Sequence, residues 1–118
     1  MTTGVIVQIK TIEPIAISLP MRKPVIMAAE ALRRADTVLV RIETDNGAIG
    51  WGEAAPAPVH TGDTLESIVS AVHYLSVALR GRDPADFSGA MTAMDGRMYG
   101  NHGAKAAIEI ALHDLVGR

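Results

Sequence analysis

The chain has 118 residues, enough for one globular domain with a modest core, and 48% of them are hydrophobic. A formal net charge of −2 and few aromatic residues (one Trp, two Tyr, one Phe) argue against a surface that binds nucleic acid or acidic membranes. The absence of cysteine excludes disulfides, thiolate metal sites and a cysteine nucleophile.

The hydropathy of the chain is that of a soluble protein. The N-terminal residues lack the basic segment and long apolar run of a signal peptide, and no apolar run approaches the roughly 20 residues of a membrane span. We therefore expect a cytoplasmic protein that binds neither membranes nor nucleic acid.

The first segment predicts a long β-strand with one irregularity. Six aliphatic residues share one parity, as in a strand with one buried face: Val5, Val7, Ile9, Ile15, Ile17 and Leu19. Ile12 falls out of phase and Pro14 lacks an N–H donor, which indicates a bulge or an edge position near these residues.

Residues 20–36, PMRKPVIMAAEALRRAD, contain two prolines and four basic side chains. We interpret them as a long loop between the first two strands. The stretch AAEALRRA (28–35) could instead form a short helix.

The segment from Val38 to Glu53, VLVRIETDNGAIGWGE, predicts a β-hairpin. Apolar and polar residues alternate along its first strand, Asn46-Gly47 suits a two-residue turn, and Ala48–Glu53 form the third strand of an antiparallel meander. Gly50 and Gly52 flank the only tryptophan, so the backbone there can approach another surface closely.

The second half of the chain changes to a helical period. Asp63 or Thr64 can cap a first helix, which Arg80-Gly81 ends. From Asn101 another helix carries one stripe of small and aliphatic residues: Ala104, Ala107, Ile108, Ala111, Leu112 and Leu115. The alanines in this stripe allow close approach to a neighbouring element.

A short helix is predicted between these two. Asp83 serves as its cap, Pro84 occupies its first turn, and it runs through Met94. Asp95-Gly96 then breaks it, because both residues favour turns over helix interiors.

Strands first and helices afterwards predict an α+β fold in a single domain. We divide the chain into a three-stranded antiparallel sheet (1–53, with the loop 20–36), a second loop (54–62) and a three-helix bundle (63–118).

Few residues offer catalytic chemistry on their own. Four histidines are too far apart in sequence for a short-range metal motif: His60, His73, His102 and His113. His113 and Asp114 adjoin on a helix, point in different directions and therefore do not form a catalytic pair. The sequence contains no phosphate-binding loop, dinucleotide-binding motif or nucleophile elbow.

Glu53, at a strand end, is the best single carboxylate. It either fixes the following loop through a hydrogen bond or ion pair, or takes part directly in binding or acid–base work. Arg22 and Lys23 can bind a ligand carboxylate or remain solvated surface charges. Four further residues either line the same loop-built surface or cover the end of the core: Met21, Met27, Val59 and His60.

Together these segments resemble the N-terminal domain of the mandelate racemase/muconate lactonizing enzyme group of the enolase superfamily. The resemblance rests on five segments in order: LPMRKP (19–24), VLVRIETDNGAIGWGEAAPAP (38–58), TGDTLESI (61–68), LRGRDPADF (79–87) and YGNHGAKAAIEIALHDLVGR (99–118). GEAAPAP followed by TGDT is closer to the muconate-lactonizing-like subgroup. His113 departs from the family, which often has Trp there, and this affects packing more than chemistry.

The resemblance implies a domain that caps a C-terminal (β/α) barrel missing from this chain. In the family, acidic barrel residues hold Mg²⁺, which stabilises the enediolate formed when a base, a lysine in this subgroup, removes the proton α to a carboxylate. A barrel needs about 250 residues, so the resemblance implies no catalytic residue and no metal ligand in this chain. The parent would be an isomerase or lyase that catalyses racemisation, epimerisation, cycloisomerisation or dehydration.

In the family, two loops of the cap close over the barrel and select substrates. They map onto Pro20–Pro24, with part of the segment beyond it, and onto Ala54–His60, with Glu53 as the anchor of the second loop. The resemblance therefore implies substrate contacts from six residues: Met21, Arg22, Lys23, Ala55, Val59 and His60.

The expected partners are a small carboxylate substrate, the protein's own barrel and further copies of the chain in a homo-oligomer. Without the barrel the chain should be inactive. The alternative is a stand-alone binding or oligomerisation module that has lost the barrel and carries a polar surface in its place.

Overall fold

A computed structural model describes residues 6–27 and 30–118, with side chains described for 6–20 and 36–118. Six elements follow one another along the chain: β1 (Ile9–Met27), β2 (Glu30–Thr44), β3 (Ile49–Ala54), α1 (Leu65–Leu79), α2 (Phe87–Arg97) and α3 (His102–Val116). The strands form an antiparallel sheet in the order β1-β2-β3, on which α1 and α3 pack. The predicted α+β architecture, a three-stranded meander followed by three helices, is confirmed.

β1 is an edge strand with a bulge at its start. The register shifts between Ile9 and Thr11, so Lys10 is an extra residue in β1. Because the bulge reverses the alternation of side chains, Ile9 and Ile12 are both buried, at 2% and 5% exposed, although they differ in parity. The irregularity predicted from Ile12 is confirmed.

The core lies between one face of the sheet and the helices. Val38, Val40 and Ile42 of β2 are fully buried there, as their alternation predicts. The register places several apolar residues on the opposite face, where Leu19 and Trp51 are exposed: Ile15, Ile17, Leu19, Leu39, Ile49 and Trp51. The bulge thus separates Ile9, which is buried on the core side, from Ile15, Ile17 and Leu19 on the opposite face. Val7 precedes β1, and Val5 lies outside the described residues.

β1 and β2 form one long hairpin, so the predicted loop over residues 20–36 is wrong. Backbone pairing continues to Met27 and Glu30, while residues 28 and 29 lie outside the described residues. Because β2 begins at Glu30, the alternative helix over 28–35 is wrong as well.

Two prolines of this hairpin, Pro20 and Pro24, flank an interruption of the pairing that does not end it. Pairing passes from Pro20 and Arg34 to Val25 and Leu32, which leaves residues 21–24 without partners opposite a single residue of β2. Proline has no N–H to donate to the ladder. Two prolines four residues apart therefore produce a local bulge, which is the physical origin of the loop signal in the sequence.

The turn between β2 and β3 has three residues rather than the predicted two. The N–H of Thr44 donates to the carbonyl of Ala48 at 3.0 Å, and these two residues enclose Asp45, Asn46 and Gly47. Gly47 has a φ of +88°, the left-handed conformation that the last position of a three-residue hairpin loop requires.

Both ends of α2 lie further along the chain than predicted, at Phe87 and Arg97. Asp86, not Asp83, is the N-cap, since its carboxylate accepts the N–H of the third helical residue at 3.0 Å. Asp95-Gly96 does not break the helix. α1 begins after Thr64, one of the two predicted caps.

β3 approaches α3 very closely at two glycines. A Cβ added to Gly50 would lie 2.3 Å from the carbonyl oxygen of Ala111, and one added to Gly52 would lie 1.9 Å from that of Ala107. Any side chain at these glycines would overlap the helix backbone. The close approach predicted from the glycines and from the alanine stripe is confirmed.

Lys105 is a buried cation that the sequence did not reveal. Its side chain is 5% exposed, and its Nζ donates to a carboxylate oxygen of Asp95 at 2.9 Å and to the carbonyl of Met98 at 2.6 Å. A buried ammonium requires such partners. These bonds tie the last turn of α2 to the first turn of α3.

We predict that Gly52→Ala destabilises the domain by at least about 3 kcal/mol or abolishes its cooperative unfolding, because α3 must move away from β3 to admit a methyl group. Urea unfolding followed by circular dichroism measures this. The matched control is Gly96→Ala, at a helical site where the added Cβ would meet no neighbouring side chain or element within 4 Å, which should stabilise by about 0.5–1 kcal/mol. Equal effects of the two substitutions would contradict the proposed contact.

Candidate functional site

The two segments predicted to contact substrate leave the same end of the sheet. β3 ends at Ala54, which pairs with Val38, and Val38 pairs in turn with Ala16. Beyond this level β1 and β2 continue without β3 and carry the interrupted stretch 21–24. The loop that follows Ala54 therefore starts at the base of the projecting hairpin.

Glu53 makes a cross-strand hydrogen bond at the start of the second loop. The hydroxyl of Thr37, in β2, donates to its carboxylate at 2.6 Å and lies 3.4 Å from the carbonyl oxygen of Ala54. Thr37 thus joins β2 to the last two residues of β3. This arrangement suits an anchor for the loop, the first of the two roles considered for Glu53.

The second loop is closed by its own hydrogen bonds. The N–H of Ala57 donates to the carbonyl of Asp63 at 3.1 Å, and the N–H groups of His60 and Thr61 donate to the carbonyl of Ala57 at 3.0 and 2.8 Å. Gly62 has a φ of +80°, which turns the chain back toward α1. The loop is a compact turn and not an extended linker.

The tip of this turn presents side chains to solvent. Val59 is 59% exposed, and Ala55 and His60 are also exposed. The turn closes beside α3, since a Cβ on Gly103 would lie 3.1 Å from a carboxylate oxygen of Asp63. The structure thus places Val59 and His60 on one exposed turn between two fixed ends, and Ala55 at the base of the same loop.

The other predicted contacts belong to the hairpin. The backbone of Met21, Arg22, Lys23 and Met27 lies in β1, but their side chains lie outside the described residues. Their roles therefore remain predictions.

His113 and Asp114 point to different neighbours, as predicted. The ring of His113 stacks on that of Phe87 with centroids 3.9 Å apart. The carboxylate of Asp114 accepts the backbone N–H of Trp51 at 2.8 Å and also bonds Arg118. The N–H of Trp51, with a further contribution from Arg118, lowers the pKa of Asp114 below its usual value.

Thr37 and Asp63 support the site but were not identified from the sequence. Thr37 precedes the alternating part of β2, and its match with Glu53 becomes visible only once the register is known. The sequence predicts Asp63 only as a possible helix cap, whereas in the structure its carbonyl closes the turn. The only sequence signal for this role is that Asp63 directly precedes Thr64, the N-cap of α1.

Within residues 6–20 and 36–118, no three or more His, Asp or Glu side chains come together as a metal site would require. In the same part of the chain, no helix is long and apolar enough to cross a bilayer.

The fold and the sequence define the class of this domain. Residues 5–118 match the family described as mandelate racemase / muconate lactonizing enzyme, N-terminal domain. The chain belongs to this family and is thus an N-terminal domain of the enolase superfamily.

Similar proteins include several enzymes. The chain is 43% identical over 104 residues to the L-Ala-D/L-Glu epimerase of Bacillus subtilis, covering 87% of the chain and 28% of the enzyme. It is 36% identical over 105 residues to the chloromuconate cycloisomerase of Cupriavidus pinatubonensis, covering 86% and 28%.

Among solved structures, the dipeptide epimerase of Cytophaga hutchinsonii, complexed with Mg and the dipeptide D-Ala-L-Val, superposes with a TM-score of 0.89 at 31% identity. The match covers 92% of this chain and 30% of that one. The chain therefore spans less than a third of the length of these relatives.

We predict that Asp114→Asn destabilises the domain at pH 7. The difference in stability toward unfolding between this variant and the wild type should become smaller as the pH is lowered. Because the pKa of Asp114 is lowered by folding, its stabilising effect is present above the ordinary carboxyl value of about 4 and is lost as the pH falls through the lowered value. Urea midpoints across this range measure the effect.

The matched control for this prediction is Arg118→Gln, which leaves the bond from the Trp51 N–H in place and should cost less at pH 7. If the difference in urea midpoint between Asp114→Asn and the wild type stayed constant with pH, the lowered pKa of Asp114 would be contradicted.

Proposed function

We propose that this chain is the capping, substrate-selecting domain of an enzyme that removes a proton α to a carboxylate, with the chemistry carried by residues outside the chain. The proposal rests on a comparison of lengths between this chain and the enzymes that it resembles. Residues 5–118 correspond to one N-terminal domain, and enzymes with such a domain are more than three times as long as the matched part. The relatives are epimerases and a cycloisomerase, so the parent would be an isomerase or a related lyase.

Magnesium enters the proposal through a relative, since the Cytophaga dipeptide epimerase was solved with Mg and a dipeptide. The described residues of this chain do not fit a metal site, because they bring no three acidic or histidine side chains together. We therefore assign the metal ligands and the catalytic bases to the remainder of the parent, and no chemical step to this chain.

Under this proposal, the second loop forms one wall of the substrate site. Val59 would contact an apolar part of the substrate and His60 a polar part, while the bond from Thr37 to Glu53 holds the entry to the loop. A closed turn of this kind excludes water from the site and positions the distal part of the substrate at small entropic cost.

The hairpin would supply the opposite wall. Arg22 and Lys23, in its interrupted stretch, are proposed to bind a carboxylate of the substrate, and Met21 to pack on its apolar part. The common origin of the hairpin and the loop at one end of the sheet supports a shared ligand. Ala55, at the base of the loop, would lie between them.

We expect another domain or another copy of the chain to cover the face of the sheet that lies opposite the core. Leu19 is 59% exposed and Trp51 39% exposed on that face, among other apolar residues. Such a surface on a small domain supports contact with a barrel or with another copy in a homo-oligomer. The alanine stripe of α3 is buried on β3 within the domain. It therefore does not indicate whether the domain contacts a barrel, contacts another copy or stands alone.

We predict that the purified chain alone does not exchange the α-proton of a dipeptide such as L-Ala-L-Glu in D₂O with Mg²⁺. Proton NMR of the substrate Hα measures the exchange, and the complete Bacillus subtilis epimerase serves as the positive control. Mg²⁺-dependent exchange by the chain alone would contradict the assignment of the chemistry to other residues.

We predict that Val59→Ala in the parent enzyme changes the ratio of kcat/KM for two substrates with different distal side chains by about tenfold, as expected when a pocket loses methyl groups. The matched control is Val77→Ala on α1, where the side chain is similarly exposed at 54%, and the ratio should remain within about twofold. An unchanged ratio in Val59→Ala would argue against contact between the second loop and the substrate.

A further inference from the structure

A groove between α1 and α2 carries two arginines that have no part in the proposed substrate contacts. It is shallow and open to solvent, has a volume of about 540 Å³ and is lined by six residues: Tyr74, Ala78, Arg82, Ala93, Gly96 and Arg97. None of the six is acidic and three are small, so the groove combines open space with two positive charges.

Arg97 is held in one orientation by its neighbour Tyr74. Its Nε–H donates to the carbonyl oxygen of Tyr74 at 2.7 Å, and its guanidinium carbon lies 4.0 Å from the centre of the Tyr74 ring. The hydrogen bond and the cation–π contact together fix the plane of the guanidinium. Its terminal N–H groups are therefore oriented before any ligand arrives, which lowers the entropic cost of binding.

Arg82 is fixed in a similar way. Its Nε–H donates to the carbonyl oxygen of Ala78 at 3.0 Å. In the described part of the chain, neither Arg82 nor Arg97 forms an ion pair with a carboxylate. An ordinary surface arginine is mobile and solvated, whereas these two are each tied at Nε and carry uncompensated charge on one groove.

We propose that this groove binds a small dianion, either a phosphate group or a dicarboxylate. The terminal N–H groups of each guanidinium match the spacing of two oxygens in a carboxylate or phosphate and can donate to both. Two guanidiniums on one groove provide a charge of +2, which a dianion neutralises. The small side chains at Ala78, Ala93 and Gly96 leave room for the rest of the ligand.

The test is a titration of the full chain with inorganic phosphate and, separately, with succinate, at constant ionic strength against chloride. Two-dimensional NMR follows the arginine Nε–H signals and the Gly96 amide. A saturable shift of these signals with at least one dianion is expected, and the responding probe identifies the ligand as a phosphate or a dicarboxylate. Arg82→Gln and Arg97→Gln should each weaken binding about tenfold through the loss of charge-assisted hydrogen bonds.

The matched control is Arg80→Gln, which removes the same charge next to the groove but changes no lining residue, and affinity should stay within about twofold. Arg82→Gln leaves the Tyr74 contact intact, so it tests the site even if Arg97→Gln disturbs folding. Equal weakening by Arg80→Gln, or no saturable shift with either dianion at about 20 mM, would overturn the proposal. A dimer that is lost in Arg82→Gln would overturn it too, since a second copy would then occupy the groove.

Discussion

The contact between β3 and α3 determines where the rest of the domain can lie. Gly50 and Gly52 allow the strand to approach the helix so closely that a single methyl group would overlap the carbonyl oxygens of Ala107 or Ala111. The interaction is specific, because a gap of about 1 Å between the two surfaces would remove up to about half of their van der Waals attraction. The bond from the backbone of Trp51 to α3 adds a polar contact to the same interface.

This contact explains how a small domain presents a loop of defined shape. The loop leaves β3 directly beyond the glycines, and it ends at Asp63, beside Gly103 in the first turn of α3. One helix therefore supports both ends of the turn that carries Val59 and His60. A loop whose ends are fixed in this way can close on a ligand without being ordered anew each time, which suits the selection of substrates.

The sequence predicted those features that follow from local pattern. The alternation around Val40, the glycines beside Trp51 and the stripe of α3 each record burial directly, and the structure agrees with them. The extent of the hairpin was not predictable from pattern, because prolines mark both loops and local bulges and only the register distinguishes the two. The bond from Thr37 to Glu53 and the burial of Lys105 depend on which elements meet in space, and local sequence patterns do not record those long-range contacts.

The central claim is that this domain bounds a substrate site whose chemistry lies elsewhere. A crystal structure of the parent enzyme with Mg²⁺ and a bound substrate tests it most directly. We expect a side-chain atom of Val59 or His60 within about 4 Å of the ligand, with every metal ligand and the catalytic base outside the 118 residues described by this sequence. A ligand bound away from the second loop, or a metal ion held by residues of this chain, would contradict the claim.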